Sequence, residues 1–225
     1  MCFSAEADFV SGVLVSGVGV ATLTKVEHPR ELALGALPLA FGLHQIVEGF
    51  VWLGLDGHAD ESTSDFAAYL YLAFAWVLLP FLVPLAIRLV EPDPGRRRLM
   101  TPFVALGAVV GLYLFASMVE NGVTAHIVER TIQYGGAGDF AILATALYVL
   151  ATCVPPLVSS HRGIVWFGAL DLLAVGVIAW AQADGLTSLW CLWAAVVSVL
   201  IYVQFVVWRR ADATSSGEMR RSTIP

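Results

Sequence analysis

Apolar residues fill this chain in seven blocks, each long enough for a helix that crosses a bilayer and each closed by a polar or turn-forming stretch. The blocks predict spans over about Ala7 to Thr24, Leu32 to Leu55, Phe66 to Val90, Leu99 to Val119, Phe140 to Val158, Ile164 to Ala181 and Leu189 to Trp208. Small residues crowd the first span (Ser11, Gly12, Ser16, Gly17, Gly19), which lets a neighbouring helix approach closely. Pro38 interrupts the second, and Pro80 and Pro84 the third; a kink is expected near each. Glu91-Pro92-Asp93-Pro94-Gly95 reads as a turn. The longest gap runs from Glu120 to Gly138, and its β-branched middle, Thr124 to Tyr134, predicts a short hairpin. The fold class is therefore all-α: one bundle of seven transmembrane helices over residues 1–210, followed by a Ser/Thr/Arg-rich tail, 211–225, expected to be disordered.

Charge gives the bundle a direction. Eleven of the twelve Lys and Arg residues fall in alternate gaps: Lys25 and Arg30, then Arg88 and Arg96 to Arg98, then Arg162, then Arg209, Arg210, Arg220 and Arg221. Only Arg130 lies in a gap of the other set. Basic residues stay on the cytoplasmic side of a membrane, so the N-terminus is expected outside and the C-terminus inside. Composition agrees: 13% of residues are charged and mean hydropathy is +0.79, where a soluble domain carries about 25% charged residues. The net charge is −6, and Asp56, Asp60, Glu61 and Asp65 gather in one outer gap, which reads as a solvated face. A plasma-membrane protein with the lipid bilayer as its main partner follows. No basic patch interleaves with aromatics, so no nucleic-acid partner is expected. The first block is preceded by Glu6 and Asp8 rather than by basic residues, which argues for a retained span over a signal peptide. Trp52, Trp190, Trp193 and Trp208 fall near block ends, where an aromatic belt belongs.

Ionisable groups inside a bilayer are expensive, and each marks a candidate site. His44 and Glu48 are four residues apart on one face of the second span, with Trp52 continuing the stripe. Such a pair has three readings: a self-satisfied hydrogen bond locking two helices, a ligand or proton site, or half of a metal site for Zn or another divalent ion. Glu120 ends the fourth span, Asp139 opens the fifth, Trp190 and Cys191 lie at the outer end of the seventh, and Cys2 precedes the first. These groups gather at the outer end, the geometry of an outward-facing pocket. Asp171 stands alone in the sixth span, with Ser198 or Thr145 as expected partners and an inner proton or cation relay as its functional reading. Ser159, Ser160 and His161 lie in a turn and read as capping residues rather than a nucleophile and base. No span contains a lysine, which excludes a retinal Schiff base.

The opening Met1-Cys2-Phe3-Ser4-Ala5, the run Gln45-x-x-Glu48-Gly49-x-x-Trp52, Ser160-His161-Arg162 and Thr187-Ser188-x-Trp190-Cys191 resemble an uncharacterised family of prokaryotic multi-pass membrane proteins. The resemblance implies one seven-span domain and draws attention to Cys2, Glu48, Trp52 and Cys191. It supplies no activity. The leading expectation is a membrane protein that binds a small ligand or ion, in transport or sensing, through an outer pocket built on His44, Glu48, Trp52, Glu120 and Trp190, with Asp171 further in. The alternatives are a membrane-embedded metal-dependent enzyme, hydrolytic or redox, with Cys2, His44, Glu48 and Cys191 as metal ligands, and a structural or assembly subunit.

Overall fold

A computed structural model describes residues 4–128, 131–136, 141–180 and 193–210. Among them are seven helices: α1 (Ala5–Leu23), α2 (Leu32–Leu55), α3 (Glu61–Val90), α4 (Pro94–Asn121), α5 (Ala141–Leu157), α6 (Arg162–Trp180) and α7 (Trp193–Arg210). Five of these, α1, α3, α4, α7 and α2 with its preceding turn, are long and apolar enough to cross a membrane. The short antiparallel hairpin, β1 (Thr124–Val128) with β2 (Thr131–Gly135), is the one expected from the β-branched gap. The tail from 211 lies outside the described residues.

Local chemistry sets the helix ends. Ser4 caps α1 by accepting from the Ala7 N–H at 3.3 Å. Asp93 caps α4, its Oδ1 accepting from the Arg96 N–H at 2.7 Å with Pro94 in the first turn. Gly122 takes a φ of 72° and turns the chain out of α4 towards the hairpin, a conformation that favours glycine. The third helix begins well before Phe66. Its polar first turns look like loop in sequence, but Ser64 donates to the Val51 carbonyl at 3.2 Å and packs where Gly54 leaves no side chain. Glu61 and Asp65 are exposed on those turns, in keeping with a solvated face.

Helices α1 and α2 pack closely through their glycines. A Cβ on Gly19 would lie 2.3 Å from the Leu39 nitrogen, and one on Gly42 would lie 2.4 Å from the Ser16 nitrogen. Gly17 takes no part, since nothing approaches it within 4 Å. The largest apolar cluster joins α2, α3, α6 and α7 through residues such as Leu37, Phe41, Ile87, Phe167 and Phe205. Away from it, Val13, Leu14, Val109, Leu112, Leu173 and Val177 point outward, exposed.

The prolines of the third helix act before the point where they stand. Ala73–Leu78 forms a π-helical segment just ahead of Pro80, and the Leu79 N–H bonds to Phe74, five residues back. Pro80 has no N–H to offer the Ala75 carbonyl. The Tyr148 hydroxyl of α5 donates to that carbonyl instead, at 2.8 Å. A side chain from a neighbouring helix thus satisfies a backbone acceptor that proline left open. Tyr148→Phe is expected to destabilise the folded protein by about 1–2 kcal/mol, because the carbonyl stays buried without a donor. Thermal unfolding in detergent of the variant beside wild type measures it, and an unchanged midpoint would refute this account of the π segment.

Candidate functional site

The second helix carries a continuous polar stripe into the protein. Glu48 has no exposed surface, Gln45 is 1% exposed and Trp52 3%. Asp8, fully buried on α1, lies at the same level, because Gly49 faces Phe9 and Gly12 faces Ile46. The hairpin closes over this cluster. Ile132 packs in a cluster with Val51, Trp52, Ala67 and Ala68, and Tyr134, two residues on and on the same strand face, donates its hydroxyl to Glu48 Oε1 at 3.4 Å. Tyr134 stacks on Tyr71 of α3 at a centroid distance of 4.7 Å, and Tyr71 stacks on His44 at 3.9 Å. Three rings in a row therefore lead from the hairpin to the His44 imidazole, which also leans on Phe74 at 4.7 Å. The Trp52 indole N–H is buried with no hydrogen-bond partner among the described residues. Leaving such a donor unmet costs about 1–3 kcal/mol.

Of the residues singled out in sequence, His44, Glu48 and Trp52 come together. Trp52 is an inner wall of the cluster rather than a belt residue at the membrane surface. Glu120 is exposed on the last turn of α4, and no described contact joins it to the cluster. Cys2, Asp139, Trp190 and Cys191 lie outside the described residues. No group of three or more His, Cys, Asp or Glu side chains placed to hold a metal occurs among the described residues. The sequence pattern gives no site role to Asp8, Gln45, Tyr71 or Tyr134. Asp8 reads in sequence as an acid at the edge of the first block, but α1 starts at Ala5 and buries it; the tyrosines depend on how the hairpin folds back, which no local pattern carries.

Asp171 occupies a second polar position. It is 7% exposed and accepts a hydrogen bond from the Trp193 indole across α6 and α7. Its expected partners are elsewhere. Ser198 donates to the Ala194 carbonyl of its own helix at 2.7 Å, and Thr145 faces outward. The physical reason is reach. An indole spans the gap between two helices, whereas a serine hydroxyl finds the carbonyl one turn back. Trp193, half-buried, is thus the indole that reaches Asp171. A cavity of about 30 Å³ lies beside Asp171, lined also by Tyr148, Thr152, Phe167 and Phe41. That is room for a water molecule, which needs about 10–15 Å³.

At the opposite end of the bundle, Glu91 organises the turns. It is 1% exposed and accepts from the Ser159 hydroxyl at 3.0 Å, the Ser160 N–H at 2.8 Å, the Ser160 hydroxyl and the Asp93 N–H at 3.1 Å. Burial pushes its carboxyl pKa up, but the four donors outweigh burial and hold it below the ordinary carboxylate value. Arg96 donates to the Val158 and Ser159 carbonyls at 3.0 and 3.1 Å, and His161 Nε2 bonds to the Val90 carbonyl at 3.2 Å. The Ser-Ser-His turn thus clasps the α3–α4 turn. Its two serine hydroxyls donate to the Glu91 carboxylate, and Ser159 Oγ accepts from the His161 N–H at 3.2 Å.

The fold and these clusters define a mostly helical protein with several helices fit to cross a membrane and buried acids at Asp8, Glu31, Glu48, Glu91 and Asp171. The chain belongs to the family of unknown function DUF6629, whose sequence profile matches residues 1–217. No curated protein and no solved structure matches it.

Proposed function

We propose that this is a seven-span protein of the cell membrane, N-terminus outside and C-terminus inside, that binds a small polar ligand or an ion in its outer half. The binding serves transport or sensing. One observation carries the reading: a fully buried carboxylate, Glu48, shares a helix face with a buried indole N–H, Trp52, that has no acceptor among the described residues. A ligand that brings an acceptor to the Trp52 indole, and a positive charge or donor beside the Glu48 carboxylate, matches this face. A hydrated cation or a small zwitterion has that character. The hairpin supports the reading, since its Tyr134 hydroxyl bonds Glu48 and its Ile132 packs over Trp52. Asp171, with its water-sized cavity, is the second station on an inward path. The outward-facing apolar side chains and the asymmetric basic residues support the topology.

The test is a thermal-shift and calorimetric screen of detergent-purified protein against sodium, potassium, magnesium and calcium chlorides, free amino acids and glycine betaine. At least one compound is expected to stabilise wild type, with affinity falling about tenfold or more in Glu48→Gln. A folded Glu48→Gln that responds like wild type removes this reading. Elemental analysis of the same samples covers the metal-enzyme alternative. Stoichiometric metal lost in Glu48→Gln or Cys2→Ser would place Cys2, His44, Glu48 and Cys191 in a metal centre instead.

A further inference from the structure

The end of the bundle that carries the basic residues holds a cavity of about 220 Å³, lined among others by His28, Arg30, Glu31, His161, Trp208 and Arg209. Drug-sized ligands occupy about 300–1,000 Å³, so this space suits a headgroup-sized fragment. Its one acid is already committed. Glu31 takes the Arg209 guanidinium and the Glu27 and His28 N–H groups, at 3.0 and 3.3 Å. Arg209 is held in turn by the Lys25 carbonyl at 2.7 Å and by Glu27 at 3.4 Å. Arg30 differs, having no ion pair among the described residues. Its charge is therefore left over at the cavity's wall. The His161 imidazole shares Nε2 with the Val90 carbonyl and meets Trp208 edge to face at 4.8 Å, which fixes the floor. An exposed, unpaired Arg30 beside a held imidazole and indole, set where helices end, matches a phosphate oxyanion at the depth of lipid headgroups.

We propose that this cavity binds a phosphate group, carried by an anionic phospholipid or free in solution. The source depends on the membrane reading given above; the phosphate chemistry does not. Arg30 is the primary anion ligand, and Trp208 packs against the ester or glycerol portion. Arg162, exposed at the same end, does not line the cavity and serves as the control for diffuse attraction.

The full-length protein is assayed in two arms, as wild type, Arg30→Gln and Arg162→Gln. One arm titrates inorganic phosphate into detergent-purified protein. The other compares nanodiscs of phosphatidylcholine alone with nanodiscs containing phosphatidylglycerol, reading the unfolding midpoint and the phospholipid retained in native mass spectrometry. Wild type is expected to respond in at least one arm, Arg30→Gln to bind roughly tenfold more weakly, and Arg162→Gln to match wild type. A response to phosphate itself identifies the free anion; a response confined to the lipid arm identifies the headgroup. Silence in both arms, or equal loss in both variants, overturns the proposal. Failure to enter nanodiscs of either composition would reject the membrane reading while the phosphate arm still judges the cavity.

Discussion

Glu91→Ala is expected to lower stability by about 3 kcal/mol, one of the largest effects of any polar substitution in this chain. The alanine removes the acceptor for two serine hydroxyls and two backbone N–H groups, all at the junction of the α3–α4 and α5–α6 turns. Water can reach some of these donors once the carboxylate is gone, which keeps the cost below the sum of four bonds. Glu91→Gln retains one acceptor oxygen but turns an NH₂ towards a serine hydroxyl, so an intermediate loss is expected. The carboxyl also predicts a pH dependence. Its folded pKa lies below the ordinary value, so the folded state favours the ionised form. The stabilisation is complete above the unfolded carboxyl pKa and is lost as pH falls through the folded one. Wild type is thus expected to lose stability on acidification below the usual carboxylate range, with a smaller loss in Glu91→Ala. Unfolding midpoints of both proteins across a pH series check this. Parallel curves would show that Glu91 is not the group responsible.

The helices of this protein were readable because apolar runs of membrane-spanning length allow few other structures. The limits of α2 coincide with those expected from its apolar block, and the hairpin followed from a β-branched gap closed by glycines. His44, Glu48 and Trp52 could be placed on one face from their spacing alone. What lay beyond reach was contact between distant segments. Glu91 sits in a proline-rich turn and reads as punctuation; its serine partners are nearly seventy residues away. Trp193 near a block end reads as a belt residue, and only the packing of α6 on α7 adds its bond to Asp171. The start of α3 was misread because Ser64 and Gly54 exchange volume between two helices, which hydropathy does not record. One signal was present and unused: Gly107 and Gly111 form a Gly-x-x-x-Gly pair in the fourth span.

That pair carries the other large effect. A Cβ on Gly107 would lie 1.7 Å from the Pro80 carbonyl oxygen, and one on Gly111 would lie 2.5 Å from the Val77 carbonyl oxygen. Both obstacles are backbone atoms of α3, at its π segment and proline, so no rotamer change relieves the clash. Overpacking that side chains can absorb costs about 1–3 kcal/mol. Here α4 must move off α3 as a body, and Gly107→Ala is expected to cost about 3 kcal/mol or more. The comparison that isolates packing is Gly17→Ala, the same chemical change in another helix, with nothing within 4 Å of the added carbon. Alanine is favoured over glycine in helices by about 0.8–1 kcal/mol, so Gly17→Ala should be neutral or stabilising. Opposite signs for one substitution at two glycines, read as unfolding midpoints in detergent, would mark the α3–α4 contact as a specific interlock. Equal effects would mean that α4 has room to shift and that the close approach is not required. The interlock also bears on the interior: the π segment that Gly111 approaches is the one whose Ala75 carbonyl is bonded by Tyr148, beside the Asp171 cavity. Displacing α4 is therefore expected to loosen the setting of Asp171 as well, so that Gly107→Ala and Tyr148→Phe combine less than additively when measured together.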